Sequence, residues 1–305
     1  MVKKQGVVVR STGSWYTVLT NDGVRTDCKI KGRFRIKGIR TTNPVAVGDI
    51  VDFQLTDSGN GVIVDIRERK NYIIRKATKL SKATHIIASN IDQAIVIVSL
   101  IKPRTSTGFI DRFLTTAEAY HIPALIIFNK FDLLDEKAKK QLDIYTVIYE
   151  NLGYNCLITS VPERIHLEEF GEILIDKVSL LAGHSGVGKS ALINAIDPGL
   201  NLKEGLISEY HEKGAHTTTF AEMFELNFGG FIIDTPGIKE FGLVEFEKEE
   251  LGQRFPEMRE RMHDCRFNNC IHVDEPGCAV LNALENEEIA EFRYVNYLNM
   301  LENLL

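Results

Sequence analysis

The chain of 305 residues has no run of eighteen apolar residues, so no stretch can cross a bilayer as a helix. Its first ten residues lack the apolar core of a secretory signal. Cysteine is scarce, with five in all, and tryptophan occurs once. Together these absences predict a reducing, cytoplasmic setting and no membrane partner. Basic charge is also in deficit, at 36 Lys and Arg against 42 Asp and Glu. The deficit is unevenly spread. Residues 1–82 carry 17 basic against 7 acidic side chains, a net of +10, and residues 83–305 carry a net of −16. A basic first part beside an acidic remainder points to a polyanionic partner at the N-terminal end. The rest of the composition, 44% hydrophobic and 26% charged, supports ordinary cores in two or three domains.

What is present centres on one loop. Residues 177–182 read as a short buried strand, residues 191–196 begin a helix, and between them stands Gly183-His184-Ser185-Gly186-Val187-Gly188-Lys189-Ser190. That is the strand–loop–helix setting a phosphate loop needs. The three glycines let backbone N–H groups turn inward on phosphate oxygens, and the helix starting near Ala191 adds its positive end. Lys189 is expected to reach the β- and γ-phosphates and the Ser190 hydroxyl to ligate Mg²⁺.

The base is read by a second motif, Asn129-Lys130-Phe131-Asp132, after the apolar run 124–128. The Asp132 carboxylate can accept two N–H bonds from guanine N1 and N2, a donor pair that adenine lacks. Asn129 would brace the loop and the Lys130 stem would cover the base. Ser160, in Thr159-Ser160-Val161, fits the segment whose backbone meets guanine O6. A third motif, Asp234-Thr235-Pro236-Gly237, ends a strand-like run; Asp234 would face Mg²⁺ and Gly237 the γ-phosphate. Residues 216–219, His216-Thr217-Thr218-Thr219, fall where a first switch belongs. Thr218 is the favoured Mg²⁺ ligand, although the run also reads as a β-edge. Ile238 follows Gly237, where Ras-like enzymes carry the glutamine that orients water. His216 is the nearest group able to hold a water or take its proton, and reads equally as a solvated loop histidine. The predicted catalytic set is therefore His216, Lys189 and Thr218.

The flanks differ from this centre. Residues 5–9, 15–19, 24–30, 50–55 and 61–66 are short β-branched runs divided by glycine turns, which predicts a small closed barrel of oligonucleotide-binding (OB) type over 1–68. Residues 29–40 interleave cations with Phe34, a base platform or a core residue. Residues 70–90 read as a polar linker. From residue 91 apolar strands alternate with helical patterns at 108–120 and 135–152, which predicts a parallel α/β sheet within a nucleotide domain spanning 69–245. The segment 246–305 is helical and holds Cys265, Cys270, His272 and Cys278, a Cys₃His set suited to one closed structural Zn²⁺ site. Residues 281–305 read as one helix whose stripe includes Phe292, Val295 and Leu298.

The guanine-reading motif precedes the phosphate loop, the reverse of the usual order. With the basic barrel and the Cys-Cys-His-Cys segment, this closely resembles the ribosome small-subunit-dependent GTPase A family of circularly permuted bacterial GTPases. The resemblance implies a monomer that binds GTP and GDP, docks on the 30S subunit and its rRNA late in maturation, and leaves after ribosome-stimulated hydrolysis. It also implies a water-positioning role at His216. Ala215 and Val161 depart from residues common in that family. The two other readings are a GTP-gated RNA-binding module whose hydrolysis is incidental, and a P-loop ATPase or kinase in which residues 129–132 form a coincidental turn.

Overall fold

The computed structural model describes residues 3–30, 44–76, 84–202, 221–234 and 247–303. The chain opens with β1 (Lys3–Ser11), β2 (Tyr16–Thr20), β3 (Arg25–Ile30), β4 (Ile50–Leu55) and β5 (Gly61–Ile66). Pairing runs β1–β2–β3–β5–β4 and returns from β4 to β1, so the sheet closes on itself. All these pairs are antiparallel except β3 with β5. Alternating residues such as Val8, Tyr16, Val18, Cys28, Phe53 and Ile63 fill the interior. The register shifts by one residue at Val9 of β1 against β2 and at Val64 of β5 against β4, irregularities of the kind that bend a strand and increase its twist.

Residues 70–90 are not a linker. They contain an antiparallel ribbon of β6 (Tyr72–Lys76) and β7 (Thr84–Ser89). Ile73, Ile86 and Ala88 are buried in or beside the neighbouring core, an apolar content hidden by the surrounding lysines. The barrel is fastened to this ribbon by Asp49. Its carboxylate accepts from Arg69 at 2.6 and 2.7 Å, from the Ser89 hydroxyl at 2.6 Å and from the Ala46 amide at 2.8 Å.

The next sheet holds β8 (Gln93–Val98), β9 (Ala124–Asn129), β10 (Asn155–Thr159), β11 (Val178–Ala182), β12 (Glu222–Glu225) and β13 (Phe231–Asp234), in the order β10–β9–β8–β11–β13–β12. All neighbours are parallel except β12 with β13. Every residue of central β8 is buried. Ala94, Val96 and Val98 face one core with Ile110, Phe113 and Leu114 of α1 (Thr107–Ala119) and Leu142 of α2 (Glu136–Asn151). Ile95 and Ile97 face a second core with Phe170 of α3 (Leu167–Leu174) and Leu192 of α4 (Lys189–Ile196). Each fully buried Ile or Val contributes about 1.5–3 kcal/mol, which fixes β8 at the sheet centre. β1 meets β12 at Arg10 and Glu222, so barrel and sheet run together.

The C-terminal part has short helices α5 (Lys248–Leu251) and α6 (Pro256–Arg259), then α7 (Ala279–Glu285) and α8 (Glu291–Glu302). The single helix expected over 281–305 is thus two, because Glu287 adopts a left-handed φ of 60° and breaks it. Val295, placed in the expected stripe, is exposed. Tyr294, Tyr297, Met300 and Leu301 face the core instead, with Leu251, Phe255 and Met258.

Candidate nucleotide site and metal centre

The loops that follow β8, β9, β10 and β11 gather at the C-terminal edge of the parallel sheet, where open α/β sheets bind ligands. The loop 183–188 leaves β11 with Gly183, Gly186 and Gly188 at φ of 143°, 81° and 100°. At Gly183 a Cβ would strike the Ile97 carbonyl, and at Gly188 the Asn129 amide nitrogen. Only glycine permits the packing at those two positions. Ser185 and Gly186 are exposed on the outer turn, Val187 is buried beneath it, and Ser190 and Ala191 open α4. Lys189 is buried with its Nζ donating to the Gly183 and His184 carbonyls at 2.7 and 3.0 Å, so the loop encloses a positive charge.

The loop after β9 seats on this one. The buried Asn129 donates through Nδ2 to the Val187 carbonyl at 2.8 Å and accepts from the Thr159 hydroxyl at 3.0 Å. Lys130, at a left-handed φ of 67°, donates through Nζ to the Gly186 and Lys102 carbonyls, each at 2.6 Å. Asp132 accepts from the Ser160 hydroxyl at 2.6 Å. Four separate sequence segments, around Lys102, 129–132, 159–160 and 183–189, therefore meet in one place. Asp234 closes β13 with its backbone opposite Leu181, beside the strand entering the phosphate loop. Its carboxylate lies outside the described part, as do His216, Thr217, Thr218, Thr219, Gly237, Ile238 and Phe34.

Cys265, Cys270, His272 and Cys278 converge, with their ligand atoms all within 4.8 Å of one another. Cys265 Sγ lies 3.9 Å from Cys278 Sγ and 3.7 Å from His272 Nδ1, and Nδ1 is 3.3 Å from Cys278 Sγ. Tetrahedral Zn²⁺ with metal–sulfur bonds of ~2.3 Å separates its sulfurs by about 3.8 Å, so this group could hold one metal ion. Burial pushes the Cys270 thiol up to about 12 and lowers His272. A bound divalent cation reverses the thiol preference by favouring thiolate. His272 Nε2 is buried without a hydrogen-bond partner, and its ring packs where a Cβ on Gly252 would come within 3.0 Å.

Several supporting groups escape sequence reading. Thr159 orients Asn129, and the Lys102 carbonyl anchors Lys130. Glu275 accepts the Ile271 and Val273 amides at 2.7 and 2.8 Å, shaping the turn between Cys270 and Cys278. Its place inside the Cys-His segment is the one signal that marks it. Tyr294 and Tyr297 of α8 donate to the His272 and Ile271 carbonyls at 2.7 and 2.6 Å.

The RsgA GTPase family model matches residues 66–244, and that of the RsgA N-terminal domain matches 5–63. A Bacteroides thetaiotaomicron protein named small ribosomal subunit biogenesis GTPase RsgA 2 is 52% identical over 98% of this chain and 96% of its own. A Flavobacterium johnsoniae protein named small ribosomal subunit biogenesis GTPase RsgA is 53% identical over 97% and 92%. Among solved structures, YjeQ from Thermotoga maritima superposes with a TM-score of 0.81 at 38% identity over 99% of both chains. YloQ, described as a circularly permuted GTPase, gives 0.76 at 31% over 99% and 95%.

Proposed function

The chain belongs to the RsgA GTPase family, and from that premise we propose that it is a Mg²⁺-dependent GTPase acting in small ribosomal subunit biogenesis. The observation that carries the reading is the Asn129 bridge. Residues 58 apart in sequence and reversed in motif order meet through one 2.8 Å hydrogen bond, joining the base-reading and phosphate loops.

In this reading Asp132 accepts guanine N1–H and N2–H, Lys130 covers the base, and the Ser160 backbone region meets O6. Backbone amides of 185–191 and the Lys189 ammonium hold the phosphates. Ser190, Thr218 and Asp234 would hold Mg²⁺, which supplies neutralisation of charge on the phosphate oxygens. Ile238 cannot polarise water, so His216 orients it and the 30S particle raises the rate. GTP-bound protein sits on the subunit, and hydrolysis to GDP lets it leave. Cys265, Cys270, His272 and Cys278 would hold one structural Zn²⁺, with no ligand position open for chemistry. The working division is a barrel at 1–68 that meets rRNA, a nucleotide domain at 69–245 and a zinc module at 246–305. The protein works as a cytoplasmic monomer; among the described residues no helix is long and apolar enough to cross a membrane.

Competition binding tests the base reading. GTP and GDP should displace a fluorescent GDP analogue and ATP should not, and Asp132→Asn should transfer preference to xanthosine nucleotides. Equal competition by ATP would return the chain to the ATPase or kinase reading.

A further inference from the structure

A continuous set of contacts runs from the metal centre to the phosphate loop, and it passes through α1. Tyr294 and Tyr297 of α8 hold the carbonyls of His272 and Ile271. One position before Tyr294 on the same helix, Arg293 donates to Asp111 of α1 at 2.5 Å and to Glu257 at 2.7 and 3.1 Å. Asn296 donates to the other Asp111 oxygen at 2.6 Å and to the Thr107 hydroxyl at 3.1 Å. Tyr149 adds a bond to Asp111 at 2.8 Å. Arg293 and Asp111 are essentially inaccessible to water, so this joint has one satisfied arrangement rather than a sliding surface. Two residues before Asp111, Phe109 lays its ring against that of His184 with centroids 4.1 Å apart. His184 belongs to the phosphate loop, and its carbonyl accepts the Lys189 ammonium.

We infer that Phe109 is a positioning residue for the phosphate loop and that the metal module sets its place through the Asp111–Arg293 joint. Metal binding and nucleotide binding are then coupled, each strengthening the other, because both favour the same seating of α1. The coupling is reciprocal: nucleotide raises metal affinity by the factor that metal raises nucleotide affinity. The groups between the two sites are packed and hydrogen-bonded to one another, and most of them are buried. This inference rests on the guanine-nucleotide reading of the loop at 183–188.

The test uses the full chain with Mg²⁺ present throughout. Zinc affinity is measured by equilibrium competition with a zinc-selective chelator, with and without saturating GDP. Saturation is set beforehand by titration with a fluorescent GDP analogue. Wild type should hold zinc at least ~5-fold more tightly with GDP, the lower bound of ordinary coupling between sites. In Phe109→Ala, and in Phe109→Leu, which keeps apolar packing without a ring face, the GDP effect should fall below about twofold. GDP should still saturate both variants, more weakly, and Phe109→Tyr should restore the coupling. An unchanged GDP effect in both variants, or no effect in wild type, would overturn the inference. Wild type that fails to bind GDP would overturn the nucleotide reading beneath it, and the titration reveals this before any chelator is added.

Discussion

Replacing Arg293 by methionine tests how the C-terminal module is held to the nucleotide domain. The guanidinium makes three bonds, one to Asp111 and two to Glu257, and also lies 4.7 Å over the Phe255 ring. Methionine fills much of the volume but leaves two buried carboxylates without their cation. Breaking a buried pair in this way costs about 3–5 kcal/mol, far more than a surface pair would. The loss should appear locally. Amides of α8 and α1 should exchange hydrogen several hundred-fold faster or more, about 3.5 kcal/mol at 1.4 kcal/mol per tenfold, while those of the barrel change little. The effect should also depend on pH. Burial raises the Asp111 carboxyl above its ordinary value, against the lowering by Arg293, Asn296 and Tyr149. A carboxyl raised in the folded state favours folding below its unfolded pKa of about 4 and loses that contribution as pH rises through the folded value. Without Arg293 the rise is larger, so the variant's deficit should shrink as pH falls from 7 toward 5. Asp111→Asn and Glu257→Gln added to Arg293→Met should recover part of the loss by removing the charges. A deficit below about 1 kcal/mol that is constant with pH would refute the reasoning.

Two further predictions follow from local geometry. Gly188→Ala places a Cβ on the Asn129 amide at a φ of 100°, so GDP affinity should fall at least tenfold, about 1.4 kcal/mol, with little change in far-UV dichroism; unchanged affinity in isothermal titration would contradict it. Cys270→Ser should abolish stoichiometric zinc by elemental analysis and expose the core of Leu251, Phe255 and Met258 to proteolysis, whereas Cys156→Ser, outside the metal cluster, should retain zinc.

How much of this was legible depended on whether the signal was local. The phosphate loop, the Asn129 motif and the Cys-His segment are written in short stretches whose residue types dictate their conformations. Their elements fall within a few residues of the expected bounds, as in α1 and α2. The five-stranded barrel was legible for the same reason, since each strand is bounded by turn glycines. Residues 72–89 misled because flanking lysines outweigh Ile73, Ile86 and Ala88, whose burial arises only when the ribbon meets the neighbouring core. The helix break at Glu287 carries no proline or glycine to announce it. The Asp111–Arg293 joint spans 182 residues, and nothing in either neighbourhood names the other. Thr159 was read only for its loop, because its bond to Asn129 exists after β9 and β10 pair. Phe34 and the switch residues lie outside the described part, so their roles rest on sequence and family.

GTP turnover measured with and without purified 30S subunits, for wild type and His216→Ala, bears most directly on the central claim. Intrinsic hydrolysis should be slow, consistent with Ile238 in place of a water-orienting glutamine; 30S subunits should stimulate it at least tenfold, ~1.4 kcal/mol off the activation barrier, and the variant should lose that stimulation. No stimulation in wild type would contradict a ribosome-activated GTPase and leave a GTP-gated RNA-binding module in its place.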